Sequence, residues 1–415
     1  MSTEKDFVVR SSPSLNGADQ AVFKALRKES ELSLASLTLP STKDEYWKYT
    51  RLNKLGKKNF STEETKTAHP QKEAFTERVI TIDEGHFSDG LNEEKLKVFP
   101  IEQLGQFPGL VPHFGKQQRH NEHYFDALNT RSFNHGFVIW VAQGFDAREL
   151  EIQEHFNTES KAYQHRYLIV LEKQAKLSLN HRIISNSKGQ FINALMETVV
   201  SESAQMKLNL IQELSEESSL IETVYCEQKD NSDYRIFTAS LDGELIRNNL
   251  NINVIGEHCE THLNGLSLGR AQEHIDHHTV VDHKLPNCES HENYKGIFYD
   301  KSTGVFNGKV FVRQEAQKTN AFQSNQNIVM SDDAKVYSKP ELEIYADDVK
   351  CSHGSTTGQF DEEAIFYLQS RGIGIQKARS LMVHAFIAEL TEKLDNEAMR
   401  SYLEERIEDK LSKSI

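Results

Sequence analysis

The sequence predicts a mainly β protein with helical segments at both ends. Three observations carry this. Short runs of β-type residues recur from about residue 135 to 358, among them "GFVIWVA", "RYLIVLE", "AKLSLNHRIIS", "FINALMETVVS", "LIETVYCEQ" and "GVFNGKVFVRQ". Polar or glycine-containing turns separate these runs, and no helix-length apolar pattern intervenes. Helical periodicity is confined to the stretches before and after.

In chain order, the first region, residues 1–130, is mixed. "ADQAVFKALRKESELSLASL" has helical spacing, with Val22, Leu26 and Leu32 on an expected common face. The aromatic–basic cluster "DEYWKYTRL" follows, and then "GKKNFSTEETKTAHPQKEA", polar and without periodicity, which reads as a loop. The strand region, residues 131–358, is longer than an immunoglobulin-like sandwich of about 100 residues. That leaves a large sandwich, a barrel or a β-helix, whose mark is short strands stacked turn by turn with polar corners; the repeat here is loose. Residues 359–415 read as helices. Asp361 suits an N-cap, with Glu362 and Glu363 at the positive end of the helix dipole. Met382, Phe386, Leu390 and Leu394 form one expected face, and Met399, Leu403, Ile407 and Leu411 a second, with Gly372 and Gly374 permitting a turn in "SRGIGIQ". Such faces pack on the core or receive a partner.

The 415 residues carry a net charge of −14, which argues against general nucleic-acid binding, since neutralising phosphates takes clustered Lys and Arg. The N-terminal "MSTEKDFVVR" lacks the apolar segment of a secretory signal, and no apolar run approaches the ~20 residues of a membrane helix. The expected location is the cytoplasm, where Cys226, Cys259, Cys288 and Cys351 are expected as reduced thiols. None forms a CxxC pair. For the first three, the ordinary reading is packing as small hydrophobes.

Phosphate-binding loops are missing. "GVFNGKV" has the wrong spacing and no Ser or Thr after the lysine, so Gly308 is expected to mark a turn; "GIGIQ" lies between helices. Seven histidines fall between His258 and His291, most densely in "HIDHHTVVDH". Strand alternation puts His274, Asp276 and His278 on one face and His277 on the other. That set has the composition of a two-histidine, one-carboxylate metal site, while the ordinary reading is a solvated histidine face or ladder. The second candidate is "DDVKCSHGSTTG", where Cys351 and His353 share a strand face. Leu342, Ile344 and Ala346 have the opposite parity to Val349, Cys351 and His353, so a corner at Asp347–Asp348 would turn all six inward. There an imidazole could lower the thiol's pKa or share a metal with it.

The block "AQKTNAFQSNQNIVMSDDAKVYSKPELEIYADDVKCSHGSTTGQFDEEAIFYLQSRGI", Ala316 to Ile373, resembles the signature of the SufB/SufD family of iron–sulfur cluster assembly proteins, and "EYWKYT" is similar to the N-terminal motif of its SufD branch. The resemblance implies a right-handed parallel β-helix core, an N-terminal helical or mixed region, and a C-terminal helical domain. It implies a scaffold subunit without turnover of its own. The partners implied are SufB, joined through the β-helix cores, and the ATPase SufC, which docks on the C-terminal helical domain and supplies the ATP hydrolysis. The implied cargo is a transient iron–sulfur cluster at the SufB interface, with a reduced flavin conceivable at the level of the complex. His353 takes the role of the interface residue, sharing a metal with SufB, and Cys351 that of its helper. An isolated chain would have a homodimer open to it through uncapped β-helix edges. "HIDHHTVVDH" matches no motif of the family, and a stand-alone histidine-ligated metalloenzyme is the alternative; a carbohydrate-acting β-helical enzyme fits the signature block less well.

Overall fold

The computed structural model describes residues 7, 21–61 and 72–412. Most of the loop expected over residues 56–74 lies outside them. The strands wind into a parallel β-solenoid of about eight turns, in which successive strands alternate between two ten-stranded sheets. Of the three architectures open to the sequence, the β-helix is the one formed.

Register defines the rungs. Lys176, Gln205, Asp233, Glu260, Glu289, Asn320 and Lys350 stand in one column, 27–31 residues apart. One corner recurs as a left-handed residue. Gln174, Ser203, Asn231, His258, Asn287 and Lys318 all have φ between 56° and 62°. The N–H of Gln174, Ser203, Asn231 and Asn287 donates to a carbonyl of the next turn at 2.8–3.0 Å, so the corner is hydrogen-bonded along the stack. A small side chain follows each of these residues: Ala175, Ala204, Ser232, Cys259, Cys288 and Thr319.

Alternation explains the lumen. Inward residues of both sheets form one long apolar cluster from Ile80 to Ala346. Many strands are buried on both faces; every residue of the Phe191–Val200 strand is buried. The outer faces are covered by the rest of the chain. Helices α1 (Ala21–Ser36) and α2 (Tyr124–Ser132), with the segments around them, cover one sheet. Helices α3 (Glu362–Ser370), α4 (Ile375–Thr391) and α5 (Glu397–Ser412) follow the last strand, and the latter two cover the other sheet.

Three fully buried arginines fasten these covers. Arg166 donates to Glu197 at 2.6 Å beneath Phe114. Arg182 donates to Glu213 at 2.9 Å beneath Phe75 and Tyr402. Arg247 donates to Asp276 at 2.7 Å beneath Trp47, whose ring centroid is 3.8 Å away. In each, a carboxylate of the sheet fixes the guanidinium and a covering segment supplies a π face.

The helices correct two expectations. In α4 the buried stripe is Val383, Ile387, Leu390 and Thr391 and continues to Leu394, while Met382 and Phe386 flank it. A strict period of four drifts off a 3.6-residue helix, and Val383 and Ile387 take the contact instead. In α1 the stripe is Phe23, Arg27 and Ser30, and Leu32 is 67% exposed. Met399, Leu403, Ile407 and Leu411 are buried together as expected, and Asp361 caps α3 by accepting from Glu363 N and Ala364 N. At the turn only Gly372 takes a positive φ (84°); Gly374 is an ordinary helix-capping residue.

Candidate functional site

The two ends of the solenoid differ. At the N-terminal end, two-residue antiparallel strands, His86–Phe87 and Leu91–Asn92, finish the sheets. At the other end the sheets stop at long strands, Lys335–Ile344 and Lys350–Gly358, with no further strand beyond either among the described residues. Most of the last strand is exposed. Cys351 and His353 lie on this strand.

Alternation turns both inward. Leu342, Val349 and Cys351 pack on the lumenal cluster and Ala346 is buried in it, as the corner at Asp347–Asp348 predicted. Ile344 is 42% exposed and His353 is exposed, because no further turn covers them. His353 Nδ1 donates to Pro340 O, 3.0 Å away on the facing strand. In a neutral ring this leaves the lone pair on Nε2, the form in which imidazole binds a metal or accepts a proton. The expected effect of the imidazole on the thiol is not realised. Burial pushes the Cys351 thiol up, opposed only by a backbone hydrogen bond at Ala321.

The register shows a feature that strand-by-strand reading missed. His353 ends the inward column Leu150, Leu179, Leu208, Ile236, Leu263, Glu292, Gln323, His353. Five apolar rungs give way to three polar ones at the open end. Each polar rung meets the facing sheet. Thr279 Oγ1 donates to Glu292 Oε2 at 2.5 Å. Gln323 fills the space over Gly308, where a Cβ would fall 2.1 Å from its Nε2. His353 reaches Pro340. Gly308 is therefore a strand residue and not the turn expected; it is small because a side chain crosses the lumen there. Burial raises the Glu292 carboxyl to about 7, against hydrogen bonds from Thr279 and Gln323 that favour ionisation. The signal was in the sequence: Glu292, Gln323 and His353 are each the fourth residue of successive strands, in "ESHEN", "NAFQS" and "KCSHG".

The histidine-rich strand, His274–His283, is not a solvated face. Asp276, His277, His278 and His283 are buried. Alternation holds: His277 faces the lumen, with Ser267 Oγ 3.0 Å from its Nε2, while His274, Asp276 and His278 share the outer face. There one oxygen of Asp276, Oδ2, is already paired. It accepts from Arg247 at 2.7 Å and from Thr50 Oγ1 at 2.5 Å, and His278 Nε2 lies 3.1 Å from its other oxygen. Burial opposes its ionisation, but Arg247 and then His278 hold the carboxyl well below the usual range. The Arg247 guanidinium is the cation paired with this carboxylate, and no group of three metal-binding side chains occurs among the described residues. The "EYWKYT" segment supplies Trp47 and Thr50, so it is the lid of this ionic cluster. A true ladder forms elsewhere, where His262, His291 and Phe322 stack outside the last turns at 5.2 and 5.3 Å.

No helix among the described residues is long and apolar enough to cross a membrane. On the C-terminal helices Phe366 (72%) and Tyr367 (57%) remain exposed, beside Ile375 and Leu381.

The domain described as "SUF system FeS cluster assembly, SufBD core domain" matches residues 155–386, more than half of the chain. An iron-sulfur cluster assembly SufBD family protein of Synechocystis is 28% identical over 408 residues, covering 92% of this chain and 89% of that protein. Escherichia coli SufD is 43% identical over 171 residues, 41% of this chain and 40% of that protein. The chloroplastic protein ABCI7 of Arabidopsis thaliana is 26% identical over 402 residues, 90% of this chain and 83% of its own. The matched domain takes in the solenoid from its first complete turns to its open end and most of α4, and the chain accordingly belongs to the SufBD family of iron–sulfur cluster assembly proteins.

Proposed function

We propose that this chain is a SufD-type scaffold subunit of the cytoplasmic SUF machinery, without catalytic turnover of its own. It acts with SufB and with the ATPase SufC, and iron and sulfur assemble into a cluster where it meets SufB. The observation that carries this reading is the polar end of the lumenal column at an exposed edge: His353 presents Nε2 outward, backed by Gln323 and Glu292. A single imidazole and a thiol whose pKa burial raises make an incomplete ligand set, which suits half of a site completed by a partner.

In this reading residues 131–358 form the SufB-binding core and 359–415 the SufC-docking domain, with residues 1–130 as a cover. Exposed Phe366 and Tyr367 support the docking role, because apolar side chains this accessible suit a partner surface. ATP-driven motion of SufC would alter access to the SufB–SufD edge; a few kcal/mol of differential binding shifts such a population. The test is reconstitution with SufB and SufC. His353→Ala is expected to copurify with both in unchanged ratio and to yield less cluster by absorbance and iron content, with Cys351→Ala the weaker of the two. Undiminished cluster from His353→Ala removes the role given to this residue. Loss of SufC from a Phe366→Asp chain that keeps SufB would support the docking assignment.

A further inference from the structure

Cys259 and Cys288 occupy equivalent corners of successive turns. Each follows a left-handed residue, His258 (φ 56°) and Asn287 (φ 62°), and each is buried on the lumenal side. They are lateral neighbours: Glu289 N, immediately after Cys288, donates to Cys259 O at 2.9 Å. Both thiols sit against the backbone of this corner: Cys259 Sγ donates to Lys229 O at 3.2 Å and Cys288 Sγ to Gly256 O at 3.3 Å. Shape does not require sulfur here, since Ala175 and Ala204 fill the same place three and two rungs below Cys259. The surroundings favour a thiolate on Cys259. The Cys288 thiol, then Ser232 Oγ at 3.7 Å, stabilise the anion and bring Cys259 down to about 7 against the effect of burial. The burial is shallow in sequence terms: Glu257 and His258, in the turn just before Cys259, are exposed.

We propose that Cys259 and Cys288 form a redox-active dithiol, which a peroxide converts to a disulfide joining two successive turns of the solenoid. The Cys259 thiolate attacks one peroxide oxygen, the O–O bond breaks, and water leaves with a sulfenic acid on Cys259. The Cys288 thiol then displaces the sulfenic oxygen as a second water. Two thiol hydrogens and two electrons pass to the peroxide, and one S–S bond forms. The stacked turns supply the geometry, because residues in register on adjacent strands lie within the Cα separation that a disulfide spans.

The test uses the full chain carrying Cys351→Ala, so that the half-buried edge thiol does not contribute. After hydrogen peroxide and unfolding, the free-thiol count is expected to fall from three to one and to return to three with dithiothreitol. Peptide mapping is expected to find Cys259 linked to Cys288, lighter by two hydrogens. With Cys288→Ser added, the linkage is lost and Cys259 is trapped by dimedone as its sulfenic acid. Three free thiols after peroxide treatment overturn the proposal. So does a linkage of Cys259 to Cys226, the third thiol of the same lumenal cluster.

Discussion

The first and last turns of the solenoid are built from one repeat and finished in opposite ways. Near the first, the lumen holds a closed ionic cluster: Glu154 accepts from His165 at 2.9 Å, His181 at 2.8 Å and Tyr167 at 2.5 Å, all buried. Burial opposes its charge, but His165 and then His181 hold the carboxyl far below the usual range. Near the last, the polar rungs Glu292 and Gln323 are still buried and the column ends at exposed His353. The difference teaches that polar groups in the lumen serve two ends. Where turns stack on both sides they are spent on one another; where the stack stops, the last of them, His353, faces solvent.

The largest test of this contrast is Glu154→Ala against His353→Ala. Removing Glu154 leaves the His165, His181 and Tyr167 donors buried without their acceptor and is expected to cost about 3–5 kcal/mol in denaturant unfolding. His353→Ala, at an exposed edge, is expected to stay within about 0.5 kcal/mol. Equal losses would break the comparison. Next is Glu292→Gln. The folded state holds the proton up to about 7, whereas the unfolded chain releases it near 4.5. Stability from this group is therefore greatest below 4.5, falls as pH rises through the window 4.5–7, and is flat above it. The whole span is roughly 3 kcal/mol. Glu292→Gln is expected to unfold with a flatter pH profile and to be more stable than the parent at pH 8. An unchanged profile would show that Glu292 titrates normally and that the polar column is wetter than its burial indicates. Trp47→Ala is expected to cost about 2 kcal/mol by thermal unfolding, from lost area and from the cation–π contact with Arg247. Tyr337→Ala, at the open edge and stacked on Tyr49, is expected to cost less than about 1 kcal/mol. A reversal of that order would show the open end to be the tighter one.

The strands were legible because alternation is a local property; so were the Asp361 cap and the division of His277 from His274, Asp276 and His278. The turn-to-turn repeat was not. Its corner is a backbone conformation adopted by Gln174, Ser203, Asn231, His258, Asn287 and Lys318, which share no side-chain chemistry. Without that register, Arg247 could not be put beside Asp276, 29 residues later, and the histidine strand read as a metal candidate. For the same reason Cys351 and His353 were visible as a pair, while Glu292 and Gln323 were not visible behind them. Gly308 misled because glycine in a strand and glycine in a turn look alike until the opposing Gln323 is known.

The unlike ends also govern how many copies can join. A stack of rungs open at both ends would template growth in either direction, head to tail, as fibrous assemblies do. Here one end is shut by strands two residues long and the other offers long unpaired backbones. An open end can meet only another open end, and once it has, no edge remains to recruit a third. Under the proposed function, association along the axis would therefore terminate at two solenoids, with His353 on the edge they share.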